Sequence, residues 1–315
     1  KMLEDLLYTR ILVKNEMKQV SARLNSCKQQ EDVHRLNALK KRLDVLQLGL
    51  KMISNFTYGY TSANFSGRMP CVDLADAIVS TGREALQNAA KLIHQWGVQS
   101  GVGARVIYGD TDSVFVSFPG ASLQDAFRWS EILVREISTR SPQAMSIKLE
   151  KVYQPCFLLS KKRYCGMAFE SVTQSRPMWD AKGIETVRRS GCLAAAKILK
   201  KCINILFEHR QASARIDSVK PYVQWQIKKI LSGRISDIND FVFANEFRGL
   251  KFYNKQSLIP SVVIARQRLA NDPLAEPKIK QRVPYVIVAG HPTDRLADLV
   301  REPNELHRNR SLQLN

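Results

Sequence analysis

From residue 2 to about 60 the apolar positions recur every three or four residues. Leu3, Leu6, Leu7, Ile11 and Leu12 follow that spacing, and Leu36, Leu39, Leu43, Leu46 and Leu50 follow it again, with polar residues 25–32 between them. Two amphipathic helices folded back at a polar tip are expected over 1–60. The next stretch, Tyr58-Gly59-Tyr60-Thr61-Ser62-Ala63-Asn64-Phe65-Ser66-Gly67, interrupts the spacing with small residues and aromatic rings. It is expected to leave the helix and let backbone approach a ligand. Helical spacing resumes over 75–96, with Ile78, Leu86, Ala89, Ala90 and Ile93 on the apolar side. A glycine-rich loop follows at 97–103, and because its G-x-G precedes a strand it does not fit a dinucleotide fingerprint.

Period two then replaces period 3.6. Runs 104–107 and 114–118 are rich in Val, Ile and Phe, and Tyr108-Gly109-Asp110-Thr111-Asp112-Ser113 lies between them as the turn of a β-hairpin. Side chains two apart on an extended backbone leave on one side, so Asp110 and Asp112 are expected to converge above the sheet. Two carboxylates there suit a hard cation such as Mg²⁺, although Asp is also an ordinary turn former. Beyond the hairpin the pattern predicts a helix over 123–139 and strands over 146–153, 156–160 and 163–169. Lys161-Lys162 joins the last two strands, within Lys161-Lys162-Arg163-Tyr164. From 180 onward mostly helix is expected, at 192–209, 219–231, 238–245 and a basic 262–269, with a strand at 285–289.

With 315 residues, 44% hydrophobic and 24% charged, the chain is globular in composition and long enough for about two domains. Its 48 Lys+Arg against 29 Asp+Glu, net +19, favour a polyanionic partner. Net charge is +5 over 1–60, +2 over 61–180 and +12 over 181–315, so the surplus lies mainly in the last segment. The six cysteines stand singly, without C-x-x-C spacing, which indicates neither a zinc site nor a disulfide framework and fits a reducing compartment. No apolar run approaches the roughly 18 residues of a membrane span. The chain starts at Lys1 and ends at Leu314-Asn315 without a terminal signal, and is expected to be part of a longer protein.

Charge on the helices has two readings. Arg10 and Lys14 are four apart, as are Lys51 and Asn55, with Tyr58 about one turn further on. They form either solvated faces or two faces that grip a phosphate chain. Lys161-Lys162 at a hairpin turn serves either solubility or contact with a phosphate backbone.

Lys51-x-x-x-Asn55-x-x-Tyr58-Gly59, the Tyr108 to Ser113 hexapeptide and Lys161-Lys162-Arg163-Tyr164 resemble, in that order, the fingers, palm-aspartate and primer-template motifs of the family B DNA polymerases. QLGLK, YGYTSANFSGRMPC, YGDTDS, LEKVYQPC, KKRY and DAKGIETVRR are more similar to the translesion branch than to the replicative one. Phe56 agrees, where replicative members usually carry Ser. The resemblance runs through nearly the whole chain, to RVPYVIV and SLQLN.

That resemblance implies an α+β fold, part of a right-hand polymerase: helical-hairpin fingers at 1–65, part of an antiparallel palm sheet at 66–179, and a mostly helical thumb at 180–315. The implied activity is template-directed nucleotidyl transfer to a primer 3′-hydroxyl with two Mg²⁺ ions. Asp112 is implied as a direct metal ligand and Asp110 as a nearby one, with a further aspartate motif expected before residue 1. Arg10, Lys14, Lys51 and Asn55 would hold the triphosphate, and Tyr58 would pack beside the nascent base pair. Lys161, Lys162, Arg163 and Tyr164 would fix the primer end and template backbone, and the +12 segment would bind duplex phosphates. Primer-template DNA and deoxynucleoside triphosphates are the implied partners, in the nucleus. Accessory subunits and an iron–sulfur cluster are implied only through a cysteine-rich tail outside this chain. Departures from the pattern are a longer fingers tip, Ser190 where Asp is usual and Leu193 where Pro is common. Two other readings fit. A replicative member would have an active proofreading domain upstream, and a non-catalytic DNA-binding remnant would lack an intact upstream aspartate motif.

Overall fold

Helical spacing at the start of the chain becomes α1 (Met2–Ser26) and α2 (Gln30–Ser62), folded against each other. The computed structural model describes residues 1–27, 29–63, 70–141, 145, 147–208, 212–235, 237–309 and 311–315. The seam between the two helices is narrower than the apolar pattern suggests. It buries Val13 and Val20 and half-buries Leu6, Met17, Leu36, Leu43 and Leu50, while Leu3, Leu7, Ile11, Leu12, Leu39 and Leu46 are exposed. One partner helix covers only an a/d-like stripe, and the flanking apolar positions fall outside it.

The expected break at Tyr58 does not occur, and α2 runs on through Gly59 to Ser62. The hydroxyls of Thr57, Thr61 and Ser62 donate back to the carbonyls of Ile53, Thr57 and Gly59 at 3.0, 2.8 and 3.1 Å, which absorbs those polar groups into the helix. A side chain on Gly59 would meet nothing within 4 Å, so this glycine marks no close approach. The rest of that stretch, 64–69, lies outside the described residues. The chain resumes where Cys71 N–H donates to the Thr61 carbonyl at 2.9 Å, then enters α3 (Val72–Gln99). Ala89 and Ile93 of α3 are buried with Ala104, Leu133 and Ile137, whereas Ile78, expected on the same side, is 48% exposed. Gly97 is obligatory: a Cβ there would lie 2.3 Å from the Ala104 carbonyl oxygen, where the chain doubles back towards the next strand.

That strand, β1 (Arg105–Asp110), pairs antiparallel with β2 (Ser113–Ser117) through a bulge between Val106 and Tyr108. α4 (Leu123–Arg140) follows. Ser122 caps it, its Oγ accepting from Asp125 N–H at 3.1 Å and donating to the Asp125 carboxylate at 2.7 Å. Residues 1–120 and 132–147 make one compact unit, and residues 121–131 and 148–315 make the other.

The second unit opens with an antiparallel sheet of order β3-β4-β5, formed by β3 (Val152–Ser160), β4 (Arg163–Phe169) and β5 (Met178–Lys182). Two expected strands thus merge into β3 through an irregularity between Tyr153 and Cys156, where Pro155 supplies no N–H to the ladder. Of the run expected at 146–153 only Val152 and Tyr153 are strand, and residue 146 lies outside the described residues. Strand β5 was not expected, and it straddles the anticipated palm–thumb boundary at 179/180. One face of this sheet packs Cys165, Phe157 and Trp179 with Ile184 and with Leu199, Ile203 and Phe207 of α5 (Leu193–Glu208).

α6 (Ala212–Leu231) leads into the largest correction to the expected thumb. The helix anticipated at 238–245 is a single 3₁₀ turn, Ile238–Phe241, followed by β6 (Phe243–Glu246). After α7 (Pro260–Asn271), β6 pairs with β7 (Arg282–Ile287), which pairs with β8 (Val300–Arg301) ahead of α8 (Pro303–Arg308). The segment expected to be mostly helical therefore carries a three-stranded antiparallel sheet. Aromatic pairing explains why: Phe243 stacks on Tyr285 at 5.5 Å, beside a core of Phe247, Ile264, Ala265, Val283 and Val300.

Candidate functional site

The aspartate hairpin ends in a tight turn. Asp112 N–H donates to the Asp110 carbonyl at 2.7 Å across Thr111, whose φ is 57°, a γ-type turn on a β-branched residue. The extended strand stops at Asp110, so alternation is not what relates the two carboxylates; they flank the single residue at the tip. Asp110 is half-buried and accepts from the Thr111 hydroxyl at 3.1 Å, and Asp112 is exposed. Ser113 Oγ donates to the Asp110 carbonyl at 3.2 Å and braces the turn. On the α3 side, the Gly109 backbone lies against Leu86, whose Cδ2 would be 3.9 Å from an added Cβ. Among the described residues no group of three or more His, Cys, Asp or Glu is placed to hold a metal. An exposed carboxylate beside a half-buried one still fits Mg²⁺, which is held by one or two carboxylates with substrate phosphates and water completing its shell.

The five helix residues are spread along the α1–α2 hairpin. Arg10 is half-buried in the seam, its Nε out of solvent and without a hydrogen-bond partner, while Lys14 one turn on is exposed. Lys51, Asn55 and Tyr58 lie on an exposed side of α2, next to the half-buried Leu50, Ser54 and Thr57. At about 1.5 Å per residue measured from the tip, Arg10 and Lys51 lie at levels about 8 Å apart, but Lys14 and Tyr58 about 24 Å apart. The hairpin thus brings Arg10 and Lys51 to nearly one level and places Lys14 towards the tip and Tyr58 towards the base.

In the second unit, Lys161 and Lys162 form the exposed β3–β4 turn, with Lys162 at φ 59°. Arg163 is engaged: its guanidinium donates to both carboxylate oxygens of Glu185 at 3.0 Å. That carboxylate offsets its charge.

One polar network was missed from the sequence. Asp180 on β5 accepts at one carboxylate oxygen from Lys151 Nζ and from the Tyr153 hydroxyl, each at 2.7 Å, and Lys182 lies 4.0 Å from the other oxygen. Burial alone would raise the Asp180 carboxyl, but these hydrogen bonds and the two ammonium charges outweigh it and hold it below its usual range. The hydrogen bond to Asp180 raises Lys151 against its own burial, and burial together with the Asp180 contact raises the Tyr153 phenol. The period-two charges of Met178-Trp179-Asp180-Ala181-Lys182 were the signal that could have revealed this strand and its polar face. Burial also pushes the Cys156 thiol up to about 12, so it is inert at neutral pH.

A sequence profile of DNA polymerase family B matches residues 1–315. The chain belongs to DNA polymerase family B. Within that family it is similar to the DNA polymerase zeta catalytic subunit of Homo sapiens, 44% identical over 100% of this chain and 9% of that protein. To the DNA polymerase delta catalytic subunit of Bos taurus it is 32% identical over 78% of this chain and 22% of that one. The chain therefore spans less than a quarter of the length of either relative. A family B DNA polymerase structure from the archaeon Pyrobaculum calidifontis shares the fold, with a TM-score of 0.53 and 23% identity over 94% of this chain and 33% of that one.

Proposed function

We propose that these residues form the fingers (1–65), part of the palm (66–179) and the thumb (180–315) of a nuclear, template-directed DNA polymerase of the translesion type. The observation that carries the reading is the family match over the whole chain, together with a two-carboxylate tip, Asp112 exposed and Asp110 half-buried, at the end of a packed hairpin. Similarity to zeta subunits over the full length, against delta subunits over part of it, supports translesion rather than replicative work.

In this reading Asp112 and Asp110 hold Mg²⁺. When bound, divalent ions lower the cost of negative charge on the attacking and leaving oxygens of nucleotidyl transfer. Arg10 and Lys51, at nearly one level on the hairpin, hold the triphosphate; Lys14 extends that grip towards the tip, and Asn55 adds a neutral hydrogen bond. Tyr58 packs beside the nascent base pair. Lys161 and Lys162 meet the DNA backbone without reading sequence, Tyr164 faces the primer end, and Arg163 holds their turn in place. Accessory subunits and an iron–sulfur cluster belong to regions outside these residues.

Primer extension by the full-length protein tests the reading. Lys51→Ala is expected to raise KM for the incoming nucleotide and to lower kcat by roughly 10²-fold, because a cation on the leaving phosphates counts most as charge develops there. Lys40→Ala and Lys41→Ala, nearer the tip, should behave like wild type. Indistinguishable kinetics among the three variants would return Lys51 to an ordinary solvated face.

A further inference from the structure

The β3-β4-β5 sheet has two unlike faces. One is apolar and covered by α5. The other carries Tyr153, Tyr164 and Asp180, and at its edge the Lys161-Lys162 turn. Asp180 sits on β5 and Tyr153 on β3, with β4 between them. The contact is possible because the β4 residue opposite Asp180 is Gly166. A Cβ on Gly166 would lie 2.8 Å from Tyr153 Cδ1 and 2.8 Å from the Pro155 carbonyl oxygen, so any larger residue would push the ring out of the gap. Through that gap the Tyr153 hydroxyl reaches the Asp180 carboxylate at 2.7 Å, and its ring meets Tyr164 edge-on with centroids 6.2 Å apart.

The Asp180 side chain is only 16% exposed, and Lys151 neutralises it at 2.7 Å. This is a built network, since a carboxylate so enclosed persists only where its charge and lone pairs are met. Tyr153 thus has one end fixed by Asp180 and one flank against Tyr164, the aromatic residue that follows the basic turn.

We propose that Asp180 is a positioning residue for the primer terminus, acting through Tyr153 on the ring of Tyr164. The proposal rests on the polymerase reading, in which Tyr164 faces the primer end. Asp180 itself touches neither primer nor nucleotide. Its effect is to restrict the arc available to Tyr164, and so the placement of the terminal base.

Three variants of the full-length polymerase test this: Tyr153→Phe, Asp180→Asn and the double variant, compared with Tyr164→Ala and wild type. Tyr153→Phe removes only the hydroxyl and leaves the Lys151–Asp180 pair in place. Each single variant is expected to slow extension about 5- to 20-fold at saturating primer-template, with KM for the nucleotide unchanged. The double variant should be no slower than the slower single one, because both act on one contact. With 2-aminopurine as the primer's terminal base, the fluorescence change on binding should shrink at least two-fold in Tyr153→Phe. If Tyr164→Ala is impaired while Tyr153→Phe matches wild type in rate and fluorescence, the network has no positioning role. Additive losses, or losses that follow thermal stability and raise the nucleotide KM, would likewise overturn it as merely structural. Failure of wild type itself to extend a primer would instead sink the polymerase reading.

Discussion

On the polymerase reading, replacing Asp112 with alanine in the full-length protein is expected to lower nucleotide addition at least about 10³-fold and to leave primer-template affinity within about two-fold. The separation is expected because the Asp112 carboxylate does no structural work among the described residues. It is exposed and makes no hydrogen bond or ion pair there, while the turn is held by backbone and by Ser113. Alanine keeps those contacts and removes the carboxylate proposed to hold metal. Asp110→Ala should also be severe but is a less clean test, since Asp110 is half-buried and accepts from Thr111. Single-turnover extension beside a binding titration decides the matter. Activity above a tenth of wild type in the Asp112 variant would end its assignment as a ligand.

Gly183→Ala is expected to destabilise the fold by about 3 kcal/mol or more. Gly183 follows β5 with φ 63°, and a Cβ on it would lie 2.2 Å from the Lys162 carbonyl oxygen. That oxygen cannot easily retreat: Tyr164 pairs with Lys182 just before the glycine, and Arg163 is clamped to Glu185 just after it. The basic turn is seated on the Gly183 backbone, so displacing one displaces the other. Gly233→Ala is the control, because φ there is 65° but nothing lies within 4 Å of the added atom. It should cost only the conformational part, about 1 kcal/mol. Denaturant midpoints of the two variants measure the difference, and equal losses would show that the close approach carries no weight.

Local pattern was enough for most of the helices, though not for the one expected at 238–245, and for the aspartate hairpin, since each is decided by residues within a few positions of one another. The missed features depend on partners far along the chain. β5 and β6 are only five and four residues long, and their place in a sheet is fixed only once Asp180 meets Tyr153, or Phe243 stacks on Tyr285. Pro155 reads as a strand end, yet β3 passes it as an irregularity. Gly59 reads as a helix end, yet neighbouring hydroxyls bond back into α2. The residue types of the candidate site were visible in its motifs. Sequence could not show that Arg163 is already occupied by Glu185, because that pairing follows from where β5 and the segment after it lie beside β4.

Thr111 is an awkward choice for the conformation it adopts. A β-branched residue at φ 57° costs about 1 kcal/mol relative to glycine, and the cost falls at the one residue separating Asp110 and Asp112. Selecting this protein for heat tolerance would therefore draw substitutions towards glycine at position 111. The same substitution would remove the hydroxyl that tethers Asp110 and loosen the turn that aims both carboxylates. A library selected on melting temperature alone would reward variants that hold their shape and lose the aim of those two carboxylates, and this one codon would be the place to look for them first.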